Sequence, residues 1–140
     1  MNLDCWEHFN HGADVGVRGF GGDKCGAFVQ VALALTAVIT NPLSVAQDHN
    51  IQIKCYASED DLLLNEWLNA LIYEMSTRHM FFGRFQVHLD NYLLRAKIWG
   101  EEIDLEKHEP RVEVKGATFT ELQVRQEPEG HWSAQCVVDV

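Results

Sequence analysis

Several features are scarce or missing in this chain, and each absence excludes a class of protein. Its four cysteines, Cys5, Cys25, Cys55 and Cys136, include no C-x-x-C pair, which argues against a structural zinc site. The longest apolar run, residues 27–39, is interrupted by polar residues and is too short to span a bilayer. No basic segment followed by an apolar one opens the chain, so secretion is not expected. We therefore expect a cytoplasmic protein with reduced thiols and no membrane association.

Basic side chains are also few. Lysine and arginine together number 11, against 21 aspartates and glutamates, so the formal net charge is −10. Such a charge repels a phosphate backbone, and we do not expect the protein to bind nucleic acid on its own. A cation or a basic partner is a better match for this charge.

The remaining composition is ordinary for a globular protein with one core. Apolar residues make up 46% and charged residues 23% of the 140 positions. This length fits one domain spanning residues 1–140, and the chain contains no repeat or low-complexity tract.

Two stretches predict helices. Residues 26–40 are apolar on nearly every face, which indicates a helix deep in the core that ends before Asn41-Pro42. The second predicted helix begins after Ser58, a natural N-cap, and has an acidic first turn. Its apolar side chains recur at helical spacing from Leu64 to Met75, which is typical of core packing.

Elsewhere apolar and polar residues alternate, which predicts about seven strands. Two glycines in the second strand, Gly16 and Gly19, indicate a bulge or a close backbone approach. Residues 100–110 are expected to form a polar, acidic loop. The sequence therefore predicts an α+β fold, a mostly antiparallel β-sheet system with two packed α-helices. The predicted strands are residues 4–9, 15–20, 51–56, 81–89, 92–99, 112–125 and 132–138.

Two aspartates stand at opposite ends of the sequence, Asp14 in a turn bounded by glycines and Asp139 near the end. Each has an ordinary explanation, an Asx-turn for the first and a solvated strand end for the second. If Val140 is the natural terminus, its carboxylate lies beside Asp139, and pairing of the first and last strands would add Asp14. Such an all-oxygen, negative site suits Ca²⁺, Mg²⁺ or Mn²⁺. We hypothesise that folding brings these groups together around a divalent cation.

A second candidate metal set is His8-x-x-His11-x-x-Asp14. This spacing would place three ligands on one face of a helix. The intervening Asn10 and Gly12 favour a strand and a turn instead, where the three side chains do not converge. We therefore prefer the hard-cation hypothesis.

Two further residues each have a functional and an ordinary interpretation. His108 is a general base near neutral pH or, more commonly, a surface histidine in a loop before proline. Lys115 lies in a predicted strand next to Gly116, either as a solubilising residue or as a cation for an acidic partner group or a phosphate. The sequence contains no phosphate loop and no nucleophile elbow, so nothing in it requires an enzyme.

Six segments spread over the whole chain carry a family resemblance. They are HGADVGV (11–17), the helix 61–73 with EWLNAL (66–71), FGRF (82–85), HEP (108–110), EVKGAT (113–118) and DV (139–140). Together, and in this order, they resemble the archease family. The resemblance implies a small α+β accessory protein of an RtcB-type RNA ligase, which joins a 2′,3′-cyclic phosphate or 3′-phosphate end to a 5′-hydroxyl. Archeases promote guanylylation and multiple turnover of that ligase in tRNA splicing and RNA repair.

The resemblance also implies site residues. Carried over by position, the ligands of a divalent cation, usually calcium, are Asp14, Asp139 and the main chain of Val140. The family's functional lysine falls on Lys115.

The main hypothesis is thus a non-enzymatic activator of an RNA ligase. One alternative is a general chaperone or scaffold that binds partner proteins through Trp6, Trp99 and Trp132. A less favoured alternative is a metal-dependent hydrolase with His108 or His11 as its base.

Overall fold

A computed structural model describes residues 4–140 of the chain. It confirms the predicted α+β class, with two antiparallel sheets and three helices, of which two are long. In chain order the elements are β1 Cys5–His11, β2 Asp14–Gly21, α1 Lys24–Ile39, a 3₁₀ turn Pro42–Ser44, β3 His49–Tyr56, α2 Asp60–Arg78, β4 Met80–Asp90, β5 Leu93–Glu102, α3 Leu105–His108, β6 Gly116–Ala117, β7 Gln123–Gln126 and β8 Trp132–Asp139.

The strands form one sheet of five and one of three. The larger sheet has the order β1-β2-β8-β6, with β7 also pairing with β8, and the smaller has the order β3-β5-β4. All of these pairings are antiparallel. The strand β8 is therefore the common partner of three other strands.

Helix α1 lies in the core, as its apolar sequence predicts. Asp23 caps it by accepting the Gly26 N–H at 2.7 Å. The helix packs on β2 and β8 of the larger sheet and on β4 of the smaller one. The indole of Trp67 in α2, fully buried, donates to the Phe28 carbonyl at 3.0 Å and satisfies both polar groups inside the core. Within residues 4–140, no helix combines the length and the apolar character that crossing a membrane requires.

The predicted N-cap of α2 is wrong. The helix is capped at Glu59, whose side chain makes no capping hydrogen bond, and Ser58 lies one residue outside. The acidic first turn is used differently: Asp60 pairs with Lys24 at 2.9 Å, and Asp61 accepts the Val124 N–H at 2.8 Å. The start of α2 is thus anchored by tertiary contacts.

Residues 112–125 do not form the predicted strand, and only β6 and β7 are regular there. A turn at residues 119–122 separates the two: the Leu122 nitrogen lies 3.4 Å from the Phe119 carbonyl oxygen, and Glu121 has a φ of 56°. Two asparagines of α2 bind the main chain just before this turn. Asn69 accepts the Ala117 N–H at 2.9 Å, and Asn65 donates to the Thr118 carbonyl at 3.0 Å.

Residues 100–110 are likewise not the predicted loop. Their first three residues complete β5, and residues 105–108 form the short helix α3. Asp104 caps α3 by accepting the N–H groups of Glu106 and Lys107 at 3.1 and 3.2 Å. One acidic residue of this stretch, Asp104, therefore caps a helix, and the acidic composition does not reflect solvent exposure alone.

Gly16 and Gly19 of β2 mark close approaches. A Cβ on Gly19 would lie 2.2 Å from the Val31 nitrogen and 2.6 Å from the Ala27 carbonyl oxygen, both in the backbone of α1. A Cβ on Gly16 would lie 2.3 Å from the ring of Phe9. No register shift interrupts β2 on either side, so no bulge forms there.

We predict that Gly19→Ala lowers the free energy of unfolding by about 1–3 kcal/mol, because backbone atoms of α1 would have to move. Urea denaturation measures this change. Gly22→Ala is the matched control, since a Cβ there meets nothing within 4 Å. Its effect should stay within about 0.5 kcal/mol. Equal effects of the two substitutions would contradict the close approach.

Candidate functional site

The start of β2 and the end of β8 meet on the larger sheet. Strand β2 pairs with β8 in a register that sets Val15 opposite Val138. Continuing this register places Asp14 opposite Asp139, and the Val140 N–H lies 3.4 Å from Asp14 Oδ1. The second strand, and not the first, makes this contact.

Lys115 is held at the same place. Its N–H donates to the Asp139 carbonyl at 2.8 Å, and the following residue, Gly116, pairs with Asp139 across β6 and β8. Lys115 therefore lies just before a short strand and not in the middle of a long one. Its side chain is exposed and forms no ion pair with a carboxylate in the part of the chain that the structure describes. We call Asp14, Lys115, Asp139 and Val140 the acidic end.

The carboxylates of the acidic end have no cationic partner among the described residues. Carboxylates directly opposite each other on neighbouring strands repel, which costs roughly 0.2–1 kcal/mol. Asp139 is exposed and Asp14 half-buried, and neither forms an ion pair with any cation of residues 4–140. A divalent cation between them would remove this repulsion.

The donor atoms present fit a hard cation. They are carboxylate oxygens and the main-chain oxygen of Val140, which suit Ca²⁺, Mg²⁺ or Mn²⁺ better than a thiolate-preferring metal. Residues 4–140 contain no group of three or more His, Cys, Asp or Glu side chains placed to hold a metal. The two aspartates alone therefore do not complete a coordination shell. The main chain, water or a partner would supply the other ligands.

The structure does not bring His8, His11 and Asp14 together. Positions 8 and 11 of β1 lie on opposite faces because side chains alternate along a strand. His8 Nε2 is 2.8 Å from the Ala34 carbonyl oxygen, so His8 is engaged with α1. The transition-metal arrangement is therefore not formed.

His108 is neither a surface residue nor an available base. It lies in α3 with its side chain buried, and its Nδ1 accepts the Asp104 N–H at 2.9 Å. The proton is therefore on Nε2, which donates to Glu101 Oε2 at 2.9 Å. Both ring nitrogens thus have partners, and the ring packs edge-on against Phe81.

Glu101 is the centre of this network, and nothing in its sequence context distinguished it from the neighbouring Glu102. It accepts the Ala46 N–H at 2.7 Å and the Lys107 ammonium at 2.7 Å, in addition to His108. These hydrogen bonds, with that of Ala46 the most important, lower the pKa of Glu101 to about 2. The network joins the segment after α1 to β5 and α3.

Comparison with known proteins gives a consistent result. The sequence model of the archease protein family matches residues 6–140. The protein archease of Pyrococcus furiosus is 39% identical over 139 residues, which cover 96% of this chain and 98% of that protein. The protein archease of Pyrococcus abyssi is 36% identical at the same coverage.

Two solved structures share the fold. The solution structure of Methanobacterium thermoautotrophicum protein 1598 is 30% identical in sequence and has a TM-score of 0.83, covering 96% of this chain and 98% of that one. The crystal structure of an archease from Thermotoga maritima, described as a possible chaperone, has a TM-score of 0.60 over 96% of each chain. At 13% identity, the latter likeness concerns the fold alone.

For the acidic end, we predict that Asp139→Asn changes stability in opposite directions with and without Ca²⁺. In EDTA the variant should be more stable than the original protein by about 0.2–1 kcal/mol, because the repulsion with Asp14 is gone. In Ca²⁺ at about 100 times its Kd, the original protein should gain about 2.7 kcal/mol and the variant much less. Urea denaturation with and without Ca²⁺ measures both effects. Asp48→Asn, at an exposed position, is the control and should show neither change in stability. If Asp139→Asn were stabilised by Ca²⁺ as much as the original protein, the proposed cation site would be contradicted.

For the Glu101 network, we predict a loss of stability in acid. Because folding lowers the pKa of Glu101 from 4.5 to about 2, its contribution is complete above about pH 4.5 and is lost as the pH falls toward 2. Glu101→Gln should therefore be less stable at pH 7, by about 1–3 kcal/mol, and depend less on pH below 4.5. Urea denaturation over a pH series tests this, with the neighbouring Glu102→Gln as control. Parallel curves for Glu101→Gln and the original protein would contradict it.

Proposed function

Because this chain belongs to the archease family, we propose that it is a non-enzymatic accessory protein of an RtcB-type RNA ligase. Its role would be to promote guanylylation and turnover of the ligase in tRNA splicing or RNA repair. We place this role in the cytoplasm, since its four cysteines are free, as a reducing compartment maintains them.

The observation that carries this proposal is the convergence of three remote segments at the acidic end. Asp14 comes from the start of β2, Asp139 from the end of β8 and Lys115 from the residue before β6. The main-chain hydrogen bond between Lys115 and Asp139 fixes the last two relative to each other. The main chains of these three residues thus meet at one edge of the larger sheet.

This arrangement suits assistance to nucleotidyl transfer. Phosphoryl-type transfers depend on positioning of the phosphates and neutralisation of their charge, and a divalent cation supplies such neutralisation when bound. Asp14 and Asp139, with the main chain of Val140, would hold that cation, with Ca²⁺ expected and Mg²⁺ or Mn²⁺ as alternatives. Lys115 would contact a phosphate or an acidic group of the ligase.

The geometry does not favour the hydrolase alternative. That alternative needs His108 or His11 as a base, yet both nitrogens of His108 are engaged inside the protein. His11 lies at the end of β1, opposite Asp14 in the β1–β2 register, and that carboxylate is the one we assign to the cation. We therefore propose that the protein acts through its partner.

The chaperone alternative requires exposed aromatic side chains that bind client proteins. Trp6 is 38% exposed, and the two other candidate tryptophans carry cations over their rings. Lys24 lies 4.9 Å from the ring centroid of Trp132, and Arg84 lies 4.4 Å from that of Trp99. Cations thus cover two of the three tryptophan rings, and we favour the ligase role.

We predict that Asp14→Ala and Lys115→Ala each reduce stimulation of ligase guanylylation by about tenfold or more. The first removes a ligand of the proposed cation, and the second removes the positive charge that would contact a phosphate or an acidic group of the ligase. The assay follows the guanylylated ligase of the same organism, with GTP and Mn²⁺, in the presence of each variant. Thermal denaturation checks that the variants remain folded.

The exposed Asp48→Ala, outside the acidic end, is the matched control and should stimulate as the original protein does. Full stimulation by both Asp14→Ala and Lys115→Ala would refute the proposed mechanism.

A further inference from the structure

The outer face of the smaller sheet is positively charged, although the chain as a whole is acidic. Side chains alternate along its three strands, so Ile53 of β3, Ile98 of β5 and Phe85 of β4 are buried while their neighbours face solvent. The solvent side carries Lys54, Arg95, Lys97 and Arg84, which we call the basic face. These are four of the 11 lysines and arginines in a chain of net charge −10.

The strand register concentrates these cations. Lys54 is directly opposite Arg95, and Arg95 is directly opposite His88 on the other side. Like charges at opposed positions destabilise a sheet. None of the four cations of the basic face forms an ion pair with a carboxylate among the described residues. The basic face thus keeps an uncompensated positive charge, although its opposed cations repel each other.

The rest of the basic face is polar and aromatic. Lys97 sits between two side-chain amides, Gln52 on β3 and Gln86 on β4. Trp99 is opposite Arg84, whose guanidinium lies 4.4 Å from the centre of the indole ring. A concavity of about 480 Å³ runs across this surface.

We infer that the basic face binds single-stranded nucleic acid. Its cations would neutralise backbone phosphates, its amides would hydrogen-bond base edges, and the guanidinium plane of Arg84, supported on Trp99, would stack on a base. Cations alone would be enough to bind an acidic protein surface. The combination of cations with amides and an aromatic ring favours RNA or DNA. The inference is independent of the ligase role, because the acidic end belongs to the other sheet.

The net charge argued against such binding, but net charge averages over the surface. An exposed charge interacts over about 10 Å at 0.1 M salt, so a strand of nucleic acid on the basic face responds mainly to the local cations. At low salt the acidic remainder of the protein would weaken the interaction without abolishing it.

The test is fluorescence anisotropy of a labelled oligouridine RNA of about 20 nucleotides, and of a DNA of equal length, titrated with the purified protein over a range of salt. The original protein should bind both, with a slope of log K against log salt of about −3 if four phosphates are contacted. Absence of binding at the lowest salt would overturn the inference.

Two double variants of equal net charge separate location from total charge. Lys54→Gln with Arg95→Gln removes two cations from the basic face, whereas Arg78→Gln with Arg125→Gln removes two exposed cations elsewhere. The first should weaken binding about tenfold or more and make the salt slope shallower by about 1 to 2. The second should stay within about twofold of the original protein.

Equal losses in the two double variants would overturn the inference, because net charge alone would then explain binding. Binding of polyglutamate but not of RNA or DNA would assign the face to an acidic protein instead. Self-association abolished by the basic-face variant, without RNA or DNA binding, would assign it to a second copy of this chain. Lys97→Gln provides a second basic-face variant, and circular dichroism confirms folding.

Discussion

The antiparallel ladder between β2 and β8 is the interaction on which the rest of this structure depends. It joins residues 14–21 to residues 132–139, which are more than a hundred positions apart in sequence. On its other side β8 supports β6 and β7, and β2 receives α1 through the close approach at Gly19. Without this ladder the larger sheet would have no centre, α1 would lose the surface it packs on, and Asp14 would have no relation to Asp139.

Irregular segments acquire their shape from polar side chains that project from regular elements. Asn65 and Asn69 of α2 bind the main chain around residues 117–118. Glu101 of β5 accepts hydrogen bonds from Ala46, in the segment after α1, and from His108 in α3. Buried polar groups require partners, so each such network permits few alternative arrangements. The contacts made by α2 also fix the position of the acidic end, because the segment that α2 holds follows directly after Lys115.

The two proposed sites lie on different sheets. The carboxylates of the acidic end belong to the larger sheet, and the unpaired cations of the basic face belong to the smaller one. This separation relates the two proposals, because an accessory protein of an RNA-joining enzyme gains from one surface that meets the enzyme and another that meets nucleic acid. A net charge of −10 conceals this arrangement because it sums over both surfaces.

Local patterns in the sequence determined the helices, most strands and the α+β class, because periodicity and helix-ending residues act within a few positions. They also indicated a close approach at Gly19. They did not reveal side chains that act over long distances: Asn69 binds the main chain of Ala117, and His108 is enclosed by Glu101. Only the tertiary structure decided which strands pair and in which register. That choice places Asp14 beside Asp139 because hydrogen bonding between strands depends on packing of the whole chain, and not on neighbours in sequence.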